Sequence, residues 1–282
     1  MIGRDVASRP GARVLRGVAL HRGGPATVRL EAAAGPITLV QRGAEAALAD
    51  LHVARADRGV TLASADGRVR VDLVEHLFAA LGGLGVRSGV RITIDDDELP
   101  LLDGGARLFA QAILALGLAG ELNPSALEIT RNASISRGNA AYDFTPGPDV
   151  ALRVDVEFRA PVGRESAAWS GDAVDFLERI APARTFGWAD EHAALLASGR
   201  AAAVDLDAVL VYGDDGAIAG CKPATKDEAA RHKLLDLIGD LAIHGGPPRG
   251  SLTVQRPGHA ATHAVVAEAL ATGVLAWNRS AA

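Results

Sequence analysis

The stretch from residue 231 to 242 sorts its apolar and polar positions in the way an amphipathic helix does. At about 100° per residue, His232, Asp236 and Asp240 follow one another on one face, with Lys233 beside them. The opposite arc is apolar and consists of Leu234, Leu235, Leu237, Ile238, Leu241 and Ala242. The pattern predicts a helix with one face in the core and ionisable groups on the other. A solvated polar face is the alternative, since His/Asp pairs at i, i+4 also occur as surface contacts.

The first half of the chain begins with strands and then changes to helices. Alternating apolar segments around a turn at residues 23–25 predict a hairpin over residues 13–30. The apolar period then lengthens to that of a helix over 74–84, which Gly85 ends, and a second helix is predicted at 106–116. Further strands are predicted at residues 37–41, 59–63, 68–73 and 90–94.

The second half repeats this order of elements after a polar, proline-containing joint at residues 121–125. Strands are predicted at 127–135, 140–144, 151–158, 208–212 and 251–255, and helices at 172–180, 191–197, around His232 and at 259–271. We therefore predict an α+β fold of two similar domains, residues 1–122 and 125–282, in which each sheet is layered against helices.

Composition narrows the class of protein. The chain has 282 residues, of which 49% are hydrophobic and 22% charged, as in a globular protein. A net charge of −5 gives no electrostatic reason to expect nucleic acid. The N-terminus lacks an apolar signal core and no apolar run approaches the ~18 residues of a membrane span, so we predict a cytoplasmic protein without stable membrane insertion. Cys221 is the only cysteine, so any metal needs His, Asp or Glu ligands.

Side chains suited to metal and proton chemistry concentrate at three distant places. These are Glu75-His76, the face around His232, and the turn Arg256–His259 with His263 one helical turn later. A zinc hydrolase needs three protein ligands, an open position for water, a carboxylate base and an acid for the leaving group. His76, His232 and Asp236 would supply the ligands, Glu75 the base and His259 the acid. Spacing alone leaves open a rival ligand pair of His259 and His263.

Five motifs in order across the chain resemble those of the UDP-3-O-acyl-N-acetylglucosamine deacetylase family. The motifs are Val74-Glu75-His76-Leu77 with Ala80–Gly85, Glu98–Gly104, Ala183-Arg184-Thr185-Phe186-Gly187, His232–Leu241 and Gly258-His259-Ala260, and Gly17–His21 resembles the family's opening strand. These enzymes are zinc amidases that commit carbohydrate to lipid A synthesis. The resemblance implies two similar domains, each a sheet layered on helices, with the active site between them.

Carried over residue by residue, the resemblance assigns His76, His232 and Asp236 as zinc ligands and Glu75 as the general base. It implies that His259, paired with Asp240, is the cation that steadies the oxyanion and protonates the leaving amine. Thr185 would assist the oxyanion, and Lys233 would contact substrate or act electrostatically. Substrate-contact positions would be Phe186, Trp188, Ala203 and Val204. The implied partner is a UDP-linked acylated N-acetylglucosamine, and we predict a monomer.

The chain departs from the family's pattern where the acyl chain would bind. Residues 202–205, Ala-Ala-Val-Asp, stand where a glycine pair is usual, and side chains there would narrow the acyl passage. Gly105 replaces a usual serine, Trp188 a common phenylalanine, and the chain is somewhat short. The departures keep two alternatives open: a paralogue that deacylates another acylated amino sugar, and a non-catalytic binding module.

Other polar residues have simpler interpretations. Asp103-Gly104 is a turn signal in its own right. The remaining histidines belong to no chemical cluster in the sequence, and Cys221 in its Gly/Lys/Pro loop is expected to be inert. Surface or capping roles are therefore predicted for His21, His52, His192 and His244.

Overall fold

Two five-stranded sheets with the same internal strand order form the framework. The computed structural model describes residues 11–119, 126–191, 207–213, 216–217 and 222–278. The first sheet contains β1 (Ala12–Val18), β2 (Pro25–Pro36), β3 (Thr38–Gln41), β4 (Ala44–Ala47) and β8 (Ser88–Ile94). Its order is β1-β2-β8-β3-β4, with only β3 and β8 parallel.

The second sheet repeats this arrangement in the second half of the chain. It contains β10 (Ala133–Arg137), β11 (Ala140–Thr145), β12 (Val150–Glu157), β13 (Arg164–Trp169) and β17 (Gly250–Gln255). Its order is β10-β11-β17-β12-β13, and the parallel pair is again the third and fourth strand of the sheet, β17 and β12. In each sheet the central strand, β8 or β17, is the last of the five strands in the sequence.

Three smaller sheets complete the β-structure. One contains β5 (Leu51–Arg55), β6 (Thr61–Ser64) and β7 (Arg70–Asp72). Another contains β14 (Thr185–Trp188), β15 (Val209–Gly213) and β16 (Gly216–Ala217). The third pairs β9 (Leu127–Ile129) with β18 (Leu275–Trp277). A 3₁₀ turn, Leu48–Asp50, precedes β5.

The helices pack between and beside the two large sheets. They are α1 (Glu75–Gly83), α2 (Arg107–Ala115), α3 (Ala173–Asp175, continued by the π-helical turn Phe176–Ile180), α4 (Glu228–Ile243) and α5 (His259–Ala271). Every residue of α1 is buried, and Gly85 follows the helix with φ of +68°. The amides of Gly85 and Val86 bond back to the carbonyls of Gly82 and Leu81, which terminates α1 as predicted. Within the described chain, no helix is long and apolar enough to cross a membrane.

Helices α1 and α4 cross at very short range because glycine lies at the contact. A Cβ atom at Gly239 of α4 would lie 2.2 Å from the carbonyl oxygen of Glu75, and one at Gly82 of α1 would lie 3.0 Å from Ala242 Cβ. Only residues without a side chain allow the backbones to approach this closely. The crossing brings the start of α1 against the polar residues of α4.

Most predicted elements are present, and α5 has the predicted bounds. The single strand predicted at 127–135 is wrong, because β9 and β10 are separate strands that belong to different sheets. The pattern does not find β4, β5, β13, β14, β16 or β18. Strand β13, for example, contains Glu and Ala, which have weak strand preference. The predicted helix at 191–197, except its first residue, and the joint at 121–125 lie outside the described residues, and the domain boundaries stay a prediction.

Candidate active site

The crossing of α1 and α4 assembles a three-residue group that could hold a metal ion. One potential ligand atom from each of His76, His232 and Asp236 lies within 4.8 Å of the others. Asp236 Oδ1 is 4.0 Å from His76 Nε2 and 3.5 Å from His232 Nε2. All three residues are buried, with exposed fractions of 5% or less. In the part of the chain that the structure describes, this is the one such group, and it matches the predicted ligand set.

The protonation and hydrogen bonding of the three residues fit a divalent metal. Burial lowers the pKa of His76 to about 3 and also lowers the pKa of His232, so both imidazoles are neutral and keep a free lone pair. His232 Nδ1 donates to the carbonyl of Ala183 at 3.0 Å, which leaves Nε2 as the electron-pair donor. Two neutral imidazoles and one carboxylate are a donor set that zinc accepts.

Asp236 uses its two oxygens differently. Oδ2 accepts a hydrogen bond from Lys233 Nζ at 2.6 Å, whereas buried Oδ1 has no hydrogen-bonding partner among the described residues. Burial acts to raise the pKa of Asp236, but the ammonium group of Lys233 outweighs it, lowers the pKa and keeps the carboxylate ionised. Oδ1 is therefore the oxygen free for a metal. Lys233 is paired within the site and only 17% exposed, so a solvated rim position is excluded.

Glu75, the first residue of α1, is positioned by the loop between β5 and β6. The backbone amide of Val60 donates to Glu75 Oε2 at 2.8 Å, and Glu75 is 2% exposed. A side chain at Gly59 would approach Oε1 to 3.1 Å, so glycine leaves room for that oxygen. Burial raises the pKa of Glu75, which makes its carboxylate a stronger base than an exposed one.

His259 and Asp240 form a buried hydrogen-bonded pair. His259 Nδ1 donates to the Asp240 carboxylate at 2.9 and 3.0 Å, and His259 Nε2 lies 3.8 Å from Asp236 Oδ2. Burial opposes the charge on His259, but Asp240 and Asp236 outweigh it and raise its pKa to about 9. Asp240 is only 1% exposed. The alternative of a solvated polar face on this helix is therefore wrong.

Strand β14 brings Thr185, Phe186 and Trp188 to the same cavity. The ring of Phe186 meets that of His232 edge-on with centroids 6.0 Å apart, and it also contacts Phe158 and Trp188. The Arg159 guanidinium lies 4.9 Å from the centre of the Trp188 ring. An aromatic wall thus borders the metal group. Ala203 and Val204, the other two predicted substrate contacts, lie outside the described residues.

The Asp103-Gly104-Gly105 turn supports β14 from behind. A Cβ at Gly104 would lie 1.6 Å from the carbonyl oxygen of Ala208, and Gly104 has φ of +79°. The carbonyl of Gly104 accepts from the Thr185 amide at 2.8 Å. A Cβ at Gly105 would lie 2.4 Å from the carbonyl oxygen of Ala181, so the backbone leaves no room for the serine expected there. The turn is structural and fixes where Thr185 begins its strand.

A cavity of about 1040 Å³ contains these groups. Its lining includes predicted residues, namely Glu75, His76, Thr185, Phe186, Trp188, His232, Lys233, Asp236 and His259. It also includes residues to which the sequence assigns no role, among them His21, Arg137, Asn139, Phe158 and Arg256. These residues lie in loops or at strand ends, where only short motifs mark them. Only the type of their side chains indicates that they could contact a ligand.

Two histidines predicted to be isolated are members of clusters. His21 Nδ1 donates to Glu98 Oε1 at 3.0 Å, and Glu98 is fully buried. His244 Nε2 lies 2.8 Å from His263 Nδ1, and both rings pack near Asp240. The partners are far apart in sequence, which is why spacing does not find them. His52 is exposed as predicted, and His192 and Cys221 lie outside the described residues.

Comparison with known proteins gives one consistent result. A family model described as LpxC, UDP-3-O-acyl N-acetylglycosamine deacetylase, matches residues 11–271. The chain is 34% identical over 255 residues to UDP-3-O-acyl-N-acetylglucosamine deacetylases from Brucella melitensis biotype 2 (strain ATCC 23457), Brucella ovis (strain ATCC 25840 / 63/290 / NCTC 10512) and Brucella suis (strain ATCC 23445 / NCTC 10510). Each match covers 88% of this chain and 89% of the relative.

Proposed function

The chain belongs to the UDP-3-O-acyl N-acetylglycosamine deacetylase family, and on that premise we propose how it acts. It is a deacetylase of lipid A biosynthesis that hydrolyses the acetamide of UDP-3-O-acyl-N-acetylglucosamine and releases acetate and the free glucosamine amine. The observation that carries this function is that Glu75 and the His259–Asp240 pair lie buried together with the three residues that could bind a metal. A carboxylate base and a cationic acid on either side of one metal group suit amide hydrolysis.

The metal in this proposal is Zn²⁺, which His76, His232 and Asp236 would hold, with His232 Nε2 and Asp236 Oδ1 as the free donor atoms. When bound, zinc supplies Lewis acidity, which polarises a carbonyl and lowers the pKa of water. Lys233 keeps Asp236 oriented by occupying Oδ2, so Oδ1 faces the two imidazoles. The hydrogen bond from His232 to Ala183 holds that ring in the required tautomer.

Glu75 is proposed as the general base. Its Oε2 is occupied by the Val60 amide, so Oε1 is the oxygen that accepts the proton of the attacking water. The buried setting raises the carboxylate's pKa and brings it closer to the operating pH, where a general base is most effective.

His259 is proposed as the general acid, with Nε2 as the donating atom. Asp240 binds Nδ1 and stabilises the imidazolium, which also favours the oxyanion of the tetrahedral intermediate. As the intermediate collapses and its C–N bond breaks, Nε2 gives its proton to the leaving glucosamine nitrogen. The Thr185 hydroxyl assists the oxyanion from β14, and the Lys233 ammonium adds positive charge to the site.

The cavity lining supports a substrate with one apolar and one anionic end. Phe158, Phe186 and Trp188 offer an aromatic wall to an acyl chain. Arg137 and Arg256 line the same cavity and would contact a diphosphate, whose oxygens guanidinium groups bind well. The identity of the acyl chain depends on residues 202–205, outside the described part, and the monomeric state and cytoplasmic location stay predictions.

The direct test is liquid chromatography of the purified protein with UDP-3-O-acyl-N-acetylglucosamine. We expect acetate release with zinc present, loss of turnover after chelation, and recovery when zinc is restored. Glu75→Gln is expected to keep the metal and lose roughly 10²-fold or more in kcat. No release by zinc-loaded protein would contradict the function, whereas release only from a differently acylated amino sugar would replace the substrate and keep the chemistry.

A further inference from the structure

Helices α4 and α5 face each other through four polar side chains placed one helical turn apart. Asp240 and His244 are at i and i+4 on α4, where His244 caps the C-terminus, and His259 and His263 are at i and i+4 on α5. Residues with this spacing lie on the same face of a helix. The four side chains therefore form a compact group between two helices, of which the mechanism above uses only Asp240 and His259.

His263 lies beside the Asp240 carboxylate. Its Nε2 is 3.5 Å from Asp240 Oδ1, and its residue exposure is 8%. Among the described residues, this buried nitrogen has no hydrogen-bonding partner of good geometry. A buried N–H without a partner is unfavourable, and the Asp240 carboxylate is the acceptor within reach.

His244 holds the other nitrogen of the same ring. Its Nε2 is 2.8 Å from His263 Nδ1, and the two ring centroids are 5.1 Å apart. Burial, helped by the neighbouring His263, lowers the pKa of His244 to about 4, so His244 is neutral near neutral pH. If His244 Nε2 donates to His263 Nδ1, the proton of His263 must be on Nε2, directed at Asp240.

Asp240 needs this second donor. It is 1% exposed, and both of its oxygens receive their hydrogen bond from the one Nδ1 of His259. A buried carboxylate with a single donor is under-satisfied, since it can accept about four hydrogen bonds. Tyr142 is also near, but its hydroxyl is engaged with Thr262 Oγ1 at 2.9 Å.

We propose that His263 and His244 are positioning residues, which fix the Asp240 carboxylate from its free side and thereby hold the His259 ring in its working orientation. The kinetic effect that we expect rests on the proposed function. The structural effect, on how Asp240 and His259 are held, does not depend on it. The expected effect of losing the pair is a poorly held His259 ring, with the metal group intact.

The test compares His263→Leu, which keeps bulk without a donor, with His263→Gln, whose amide nitrogen can occupy the position of Nε2. Exposed His52→Leu is the matched control. In zinc-loaded protein we expect His263→Leu to lose about tenfold in kcat with little change in KM or metal content, as when an outer hydrogen-bonding partner is removed. His263→Gln is expected to recover most of the loss, and His52→Leu to match the unmodified protein.

A second readout does not depend on turnover. In protein with ¹⁵N-labelled histidine, the His259 Nδ1 proton is expected as a slowly exchanging downfield signal, assigned by its loss in Asp240→Asn. We expect faster exchange in His263→Leu and near-normal exchange in His263→Gln. Should His263→Leu fail to fold, His244→Leu is expected to speed exchange and lower kcat in the same direction.

The outcomes separate the two ideas. Unchanged exchange and unchanged kcat in folded His263→Leu or His244→Leu would overturn the positioning role. Equal losses in the Leu and Gln variants would do the same, because packing alone would then explain them. If the unmodified protein lacks deacetylase activity but His263→Leu still speeds exchange of the His259 proton, the proposed function fails and the positioning role stands.

Discussion

At the scale of single residues, the site depends on which atom of each side chain is already engaged. Val60 occupies one oxygen of Glu75, Lys233 one oxygen of Asp236, and Asp240 one nitrogen of His259. Each contact leaves the partner atom available for the reaction. Replacing a partner such as Lys233 or Asp240 therefore changes the orientation and the charge of the side chain that it contacts, while that side chain itself remains.

The ligand set is the first thing to check at this scale. We expect one zinc ion per chain in the unmodified protein and its loss in His76→Ala, His232→Ala or Asp236→Ala, because each removes one of three protein ligands. His263→Ala is the control, since His263 contacts Asp240 and His244 and not the metal group. Elemental analysis after dialysis gives the answer. Zinc lost from His263→Ala but retained by His76→Ala would revive the rival ligand pair.

The pH profile depends on the pairing of His259 with Asp240. In the proposed mechanism Glu75 must be ionised and His259 protonated for turnover, so kcat/KM is expected to be bell-shaped. The Asp240 carboxylate helps raise the pKa of His259, and a protonated acid is lost as pH rises through that pKa. Asp240→Asn is therefore expected to move the alkaline limb to lower pH and leave the acid limb nearly in place, with zinc content unchanged. An alkaline limb that stays in place would mean that Asp240 does not control the acid.

Whether the sequence could predict that these residues interact depends on how far apart they lie along the chain. The ligand set and Glu75 follow from motifs whose residues are adjacent or one helical turn apart. The structure brings His76, His232 and Asp236 together, and the roles of these residues and of Glu75 stay predictions. His21 with Glu98, and His244 with His263, join residues 77 and 19 positions apart. No local pattern encodes such a pair, because it exists only once the elements have packed.

At the scale of elements, α4 is fixed at its start by a buried ion pair. Glu228 opens α4 and accepts from Arg184 Nε at 2.8 Å, and Arg184 lies just before β14. The amide and hydroxyl of Thr225 also donate to Glu228 Oε2, at 2.7 and 2.8 Å. Arg184 further donates to the carbonyls of Lys222 and Pro223. One arginine thus ties the start of α4 to the strand that supplies Thr185.

This ion pair gives the protein an acid-dependent stability. Burial would raise the pKa of Glu228, but hydrogen bonds from Arg184 and Thr225 outweigh it and lower the pKa from 4.5 to about 2. A carboxylate whose pKa is depressed on folding stabilises the protein above its unfolded pKa, and this contribution is lost as pH falls from about 4.5 to about 2. The shift corresponds to roughly 3 kcal/mol.

The corresponding measurement is urea unfolding at pH 7 and pH 3. The free energy of unfolding is expected to fall less between these values in Glu228→Gln than in the unmodified protein, although Glu228→Gln starts lower because Arg184 is left without its anion. Exposed Glu178→Gln is the control. An equal fall in Glu228→Gln and the unmodified protein would remove Glu228 from the acid response.

Two helices of the second half lie where the sequence predicted them, α4 around His232 and α5 at 259–271. The buried residues of α5 recur at helical spacing, namely Thr262, His263, Val265, Val266 and Ala269. The order of strands in each sheet could not be predicted, because β8 and β17 enter the middle of their sheets after long excursions. Local preference does not say which strand will be the neighbour of which.

At the scale of the whole molecule, the two halves meet where α1 crosses α4. The equivalent strand order of the two large sheets agrees with the predicted repeat in the order of elements. The amino-acid sequences of the two halves show no visible identity. The first half supplies Glu75 and His76, and the second supplies His232, Asp236 and His259. The reacting groups come together only when the halves pack.

Gly239→Ala tests that crossing. The new Cβ would lie 2.2 Å from the Glu75 carbonyl oxygen, so the helices must separate, and overpacking of this kind costs about 1–3 kcal/mol or more. We expect a lower unfolding temperature and reduced turnover, because Glu75 moves with its backbone. Gly24→Ala is the control, since a Cβ there meets nothing within 4 Å. Unchanged stability in Gly239→Ala would show that the crossing tolerates a side chain.

The close crossing at Gly239 also makes metal affinity a property of the whole chain. An ion held by His76 from one half and by His232 and Asp236 from the other binds only molecules whose halves are docked. By thermodynamic reciprocity, the ion raises the population of docked molecules by the same factor by which docking raises affinity for the ion. A methyl group at position 239, which touches no ligand, should therefore speed dissociation of the metal, and the loss of metal should in turn loosen the helix crossing.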